Sequence, residues 1–313
     1  MGRDDTRNDE RLKAIGEKGM LRMPIGLYEK ALPAELSWEE RLATAGQAGY
    51  DFVEISIDES DERLSRLNWT ASERAALRQS IAHTGVKIMT MCLSGHRKYP
   101  LGSHTPEIRQ KGLDVLYKAI DFAGDIGLRV VQVMAYDVFY ETSDDETKAN
   151  FMEGLYRGAQ YAGQAGVMLG LENLDTPFVE NLSQGLSVIR EINSPWLHLY
   201  PDIGNLTAAG YFPPAEIALA KEHILGIHVK DALPKVIRGV PFGEGIVPFQ
   251  ATFQALAETG FWGLLGVEMW GGMHANANPF SAAAAARKFV SDLVAAENWA
   301  TQRPYTDVVY DPQ

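Results

Sequence analysis

Short apolar runs rich in β-branched residues recur along the chain, each entered from a glycine that closes a longer helix-like stretch. Gly49 precedes FVEIS, Gly85 KIMTM, Gly127 VVQVM, Gly166 MLGLE, Gly226 IHV and Gly260 LLGVE. A glycine past a helix end takes the left-handed cap without a Cβ penalty, and unbroken apolar runs are what strands covered on both faces require. Helix starts are marked as regularly: Ser37 with Glu40, Thr70 with Glu73 and Ser143 with Glu146 read as capping boxes, and Thr105 is followed by Pro106. Adding PIGLYEK near the front and LHLYPDI in the middle brings the strand count to eight. Eight strands alternating with helices predict an α/β fold of the closed (β/α)8 barrel type rather than an open doubly wound sheet. No GxGxxG turn opens a helix after the first strand, and no P-loop pattern occurs.

At 313 residues the chain fits one such barrel, expected over residues 23–300, after a charged extension at 1–22 and before a tail at 301–313. The polar insert Asp58–Trp69 after the second strand is longer than a simple turn and is a candidate lid. A formal charge of −12 argues against a nucleic-acid partner, whose phosphates call for a basic face. One cysteine, Cys92, excludes an intramolecular disulfide. No apolar run is long enough to span a membrane and no signal peptide opens the chain, so a soluble cytoplasmic protein is expected.

The chemistry lies at four strand ends. Glu172, Asp202, His228 and Glu268 close the runs LGLEN, LYPDI, GIHVK and GVEMW, separated by 30, 26 and 40 residues, about one strand-plus-helix unit each. Barrels present their reactive groups at the carboxyl ends of the strands. Three carboxylates and one imidazole suit a divalent ion (Mn, Zn, Co or Mg), leaving coordination positions for a substrate. A sugar with adjacent carbonyl and hydroxyl oxygens would chelate such an ion, and the carbon-bound proton would become acidic. A carboxylate on each face could remove that proton from one side and return it from the other, which is the design of an epimerase.

PIGLYEKALP, DFVEISIDESDERLSRLNW, MCLSGHRKYPLGS, LYPDIGNL, HVKD, VPFGEGIV and VEMW, spread over residues 24–270, resemble the L-ribulose-5-phosphate 3-epimerase (L-xylulose-5-phosphate 3-epimerase) family of xylose-isomerase-like TIM barrels. DERLSRLNW and PLGS carry the resemblance most specifically. It implies one divalent ion per subunit and interconversion of L-ribulose 5-phosphate and L-xylulose 5-phosphate at C3 through a cis-enediolate, in pentose or ascorbate breakdown. Carried over residue by residue, Glu172, Asp202, His228 and Glu268 become metal ligands, with Glu172 and Glu268 doubling as the acid/base pair. The sugar phosphate needs a cationic grip away from the metal, for which His96, Arg97, Lys98, Arg66, Lys230 and Arg238 are candidates, with Lys30 a further one. Glu244, in the FGEG turn, is a candidate partner for a sugar hydroxyl. Tyr28, Tyr136, Tyr200 and Trp270 are candidate pocket walls, and His274 reads as a loop histidine. A homodimer is expected.

The same barrel and metal also admit epimerisation or aldose–ketose isomerisation of an unphosphorylated ketose. A metal-dependent abasic-site endonuclease would want more strand-end histidines and a basic face. A sugar-phosphate binding protein would have no need of an acid/base on each face of its ligand.

Overall fold

The computed structural model of the chain describes residues 23–271, 278–297 and 299; the expectations for the extension, the tail and His274 lie outside these. Strand and helix alternate as β1 (Ile25–Tyr28), α1 (Trp38–Gln47), β2 (Phe52–Ser56), α2 (Ala71–Thr84), β3 (Lys87–Leu93), α3 (Pro106–Ile126), β4 (Val130–Met134) and α4 (Asp145–Ala165). There follow β5 (Met168–Glu172), α5 (Leu182–Ile192), β6 (Leu197–Leu199), α6 (Pro213–Ala220), β7 (Gly226–Val229), α7 (Phe249–Glu258), β8 (Leu264–Val267) and α8 (Pro279–Ala296). All pairings are parallel, in the order β6-β5-β4-β3-β2-β1-β8-β7. The seam between β6 and β7 is closed by isolated bridges, Leu199 with Ile224 and Asp202 with His228. His228 N donates to Pro201 O at 2.8 Å across it. The expected (β/α)8 barrel is therefore formed, and two of the four expected ligands sit on its closing seam.

Local chemistry explains most boundaries. Ser37/Glu40 and Thr70/Glu73 form reciprocal capping boxes, and Gly85, Gly127 and Gly166 cap helices with φ of 72°, 82° and 68°. Two expectations need correction. At α4 the box is Asp144 with Thr147, one residue later than Ser143 with Glu146, because the Ser143 hydroxyl is engaged by the Asp137 carboxylate at 2.7 Å. Gly226 is no cap but the first residue of β7, where an added Cβ would come within 2.5 Å of the Tyr200 ring. The barrel interior uses this device repeatedly. A Cβ at Gly170 would meet Tyr200 at 2.9 Å, and one at Gly26 would overlap the Phe52 ring. Two large rings thus fill the interior between strands that give up their side chains to admit them.

The insert after β2 folds as a short helix, Asp61–Ser65, and a 3-10 turn, Arg66–Asn68. Arg63 and Arg66 anchor it to Glu29, which follows β1 and is buried. The segment expected as a lid is fixed to the barrel by buried ion pairs. Among the described residues no helix is long and apolar enough to cross a membrane.

Candidate metal and substrate site

Glu172 ends β5, Asp202 follows β6, His228 lies in β7 and Glu268 follows β8. One ligand atom from each falls within 4.8 Å of all the others, and all four side chains are buried. The strand ends are held in register by polar contacts of the following loops. Asn173 Oδ1 accepts Asp202 N at 2.9 Å, its Nδ2 donates to Asp202 O at 3.2 Å, and Asn205 Nδ2 donates to Asn173 O at 2.9 Å. Asp202 is also a helix cap, its Oδ1 accepting Asn205 N at 2.7 Å.

The imidazole of His228 stands between two sets of carboxylates. Nδ1 lies 3.3 Å from Glu172 Oε1, 3.7 Å from Glu268 Oε2 and 3.8 Å from Asp202 Oδ2, and Nε2 lies 2.8 Å from Glu54 Oε1. Lys230 Nζ, also buried, is 2.8 Å from Asp202 Oδ2 and 2.9 Å from Glu268 Oε2. Four carboxylates, those of Glu54, Glu172, Asp202 and Glu268, thus meet two cationic groups. The imbalance sets the titration of Glu172, Asp202, Glu268 and His228. Burial raises the Glu172 carboxyl, and burial reinforced by Glu268 and Glu172 pushes Asp202 up to about 8 despite Lys230. At Glu268 burial acts upward too, but Lys230 and His228 outweigh it and hold this carboxyl well below the usual range. Burial alone would lower His228; the facing carboxylates, Glu54 first, raise it well above an ordinary histidine.

This arrangement fits a divalent cation. The donors are carboxylate oxygens and one imidazole nitrogen, the local charge is negative, and Glu172 Oε2 is buried with no hydrogen-bond partner among the described residues. The set suits Mn, Zn, Co or Mg alike.

A cavity opens above the cluster. Glu172, Glu268 and Lys230 reach its wall, and Asp202 and His228 do not. Tyr28 and Trp270 stand edge to face at 6.0 Å on one side, as candidate walls, whereas Tyr200 is inside the barrel, its ring 5.1 Å from that of His228. Tyr136 is buried against the Tyr28 cluster.

The candidate phosphate residues divide sharply. Arg97 and Arg238 line the cavity, stacked on Phe139 at 5.2 Å and on Trp270 at 5.4 Å, and among the described residues neither forms an ion pair with a carboxylate. Lys30 lines it too, paired with Asp58 at 2.6 Å. Lys230 is placed among the carboxylates of the candidate metal cluster. Arg66 is committed to Glu29, with Nη1 2.8 Å from Oε1 and 2.9 Å from Oε2. His96 is buried, its ring pushed down to about 4 by burial and its Nε2 3.1 Å from Gly112 O. Lys98 pairs with Asp61 at 2.6 Å, and Glu244 is exposed on a turn whose flanking amides, Gly243 N and Gly245 N, donate to Asp231. These last four do not line the cavity.

Two residues escaped the reading of the sequence. Glu54 carried a signal, a lone acid inside the apolar run FVEIS, on the inward face shared with Phe52. Asn173 carried none beyond standing next to Glu172.

The family model described as xylose isomerase-like TIM barrel matches residues 42–292. The chain is similar to the L-ribulose-5-phosphate 3-epimerase UlaE of Salmonella heidelberg (strain SL476), 44% identical over 273 residues, covering 87% of this chain and 95% of that protein. It is likewise similar to UlaE of Escherichia coli (strain K12 / DH10B), 46% identical over 248 residues, covering 79% and 87%. Among solved structures, one described as that of L-ribulose 3-epimerase superposes with a TM-score of 0.73 at 20% identity, covering 93% of this chain and 100% of that one, a likeness of fold.

Proposed function

The chain belongs to the L-ribulose-5-phosphate 3-epimerases of the xylose isomerase-like TIM barrel family, and from that premise we propose how its residues divide the work of moving a proton at C3 between L-ribulose 5-phosphate and L-xylulose 5-phosphate. The observation that carries the assignment is that Glu172 and Glu268, from different strands, are the two members of the buried quartet that reach the cavity wall. One glutamate takes the C3 proton from one face of the sugar, and the other delivers a proton to the opposite face of the planar enediolate. Glu172, Asp202, His228 and Glu268 would hold a divalent ion, whose contribution when bound is to polarise the sugar's oxygens and acidify C3–H.

The remaining residues orient and enclose. Lys230 holds the carboxylates of Asp202 and Glu268 in place by direct ion pairs. Tyr28 and Trp270 form an aromatic wall against the sugar carbons and keep water from the reacting carbon. Arg97 and Arg238 grip the 5-phosphate. Support for this comes from their stacking, which fixes the guanidinium planes, and from the lack, among the described residues, of a carboxylate ion-paired with either.

Incubation of L-xylulose 5-phosphate in deuterated buffer, followed by NMR with and without chelator, tests the proposal. Expected is chelator-sensitive deuterium uptake at C3 with L-ribulose 5-phosphate appearing. Uptake at C1 would make the enzyme an isomerase, and uptake at C3 that ignores the chelator would remove the metal from the assignment.

A further inference from the structure

We infer that Glu54 is a positioning residue for metal binding, fixing the imidazole of His228 so that the Nδ1 lone pair is presented to the ion. The inference rests on the reading of Glu172, Asp202, His228 and Glu268 as metal holders, and it concerns a residue outside that quartet.

The two nitrogens of His228 face opposite directions. Nδ1 looks towards Glu172, Asp202 and Glu268, and Nε2 is 2.8 Å from Glu54 Oε1. A carboxylate accepts hydrogen bonds and has none to give, so Nε2 must carry the hydrogen. In the neutral ring the lone pair then lies on Nδ1, the atom among the other donors.

Glu54 cannot turn away to serve another partner. It is 1% exposed, and its second oxygen, Oε2, accepts Thr90 Oγ1 at 2.7 Å and also Gln132 Nε2. The His228 ring is fixed equally well. Tyr200 packs against it edge to face, and the Gly266 backbone lies so close that an added Cβ would stand 2.9 Å from Cδ2. Strands β2, β3, β4 and β7 each contribute one side chain to this layer: Glu54, Thr90, Gln132 and His228. Layers of a barrel interior are ordinarily filled by branched apolar residues, and a buried charged layer is costly to the fold. A role in holding the ligand accounts for it.

The donor pattern makes Glu54→Gln a discriminating change. Thr90 and Gln132 both point hydrogens at Oε2, so the new amide would turn its oxygen towards them and its NH2 towards His228. Nε2 would then have to accept, the hydrogen would move to Nδ1, and the nitrogen facing the ion would lose its lone pair. Size and position are kept while the tautomer is reversed.

The experiment is Mn²⁺ titration of metal-free wild type and E54Q by calorimetry with a competing chelator, alongside melting of both metal-free proteins. Loss of a partner of this kind costs about 10–100-fold in metal affinity, and that rise in Kd is expected with the metal-free melting temperature little changed. An unchanged Kd, with or without a lower melting temperature, would overturn the inference and make Glu54 a packing residue only. Wild type that binds no Mn²⁺ would overturn the metal assignment itself, a distinguishable result. Should E54Q fail to fold, Thr90→Val removes one of the hydrogens that pin Oε2 and is expected to raise Kd several-fold; an unchanged Kd there overturns the inference equally.

Discussion

Two clusters of buried charge stand at the same end of the barrel, and they are built on opposite balances. Around Glu29, which is 1% exposed, stand Arg66 at 2.8 Å, Arg63 at 3.1 Å and Arg41 at 3.3 Å, with the Ser56 amide also donating at 3.1 Å. The neighbouring Asp58 is paired with Lys30 and Arg63. In the quartet that includes His228, carboxylates outnumber cations and, among the described residues, Glu172 Oε2 has no hydrogen-bond partner. Burial of charge is common to both, so burial alone does not mark a reactive site. What marks it is charge the chain does not itself neutralise.

The comparison is sharpest in what removing one carboxylate does. Glu29→Gln leaves three guanidiniums facing a neutral amide in a buried site and is expected to cost about 3–5 kcal/mol of stability, by the same amount with and without metal. Denaturant unfolding in both conditions checks it, and equal stability to wild type would show that the arginines find water or other partners. Glu172→Gln is expected to act the other way: turnover falls by about 10²–10⁴-fold, while the metal-free protein melts no lower than wild type, because burial and the facing Glu268 already disfavour the Glu172 charge. A clear drop in the metal-free melting temperature would place Glu172 with Glu29 as a structural carboxylate. The smallest effect is expected from Arg97→Ala, which should raise KM for L-ribulose 5-phosphate about 10–100-fold, the worth of one or two charge-assisted hydrogen bonds, and leave activity on the unphosphorylated sugar unchanged. Equal losses on both sugars would take Arg97 out of the phosphate grip.

The barrel and the convergence of Glu172, Asp202, His228 and Glu268 were legible in the chain because both are written locally. A strand end is set by its own apolar run and the cap before it, so the residue at that end is placed wherever the fold closes. Which cations reach the cavity was not legible, because a cation's fate depends on partners distant in sequence. Arg66 is claimed by Glu29 across 37 positions, and Lys230 by Glu268 across 38. Nothing in RLNW or HVKD announces those pairings. The offset at α4 has a different origin: Ser143 and Asp144 are adjacent residues with similar capping ability, and a contact to Asp137 settles which is used. Glu54 was overlooked because one acid in an apolar run reads as an interruption of a strand, although its inward parity places it in the barrel's interior.

The strand glycines described above also draw a map of mutability. Replacement of glycine by alanine is a common route to a hardier enzyme, since it removes freedom from the unfolded chain. At Gly26, Gly170 and Gly226 that route is blocked by the rings of Phe52 and Tyr200. At Gly124, on the exposed side of α3, nothing lies within 4 Å of an added Cβ. An engineer seeking a tougher catalyst should therefore leave the staves of the barrel alone and work on its hoops.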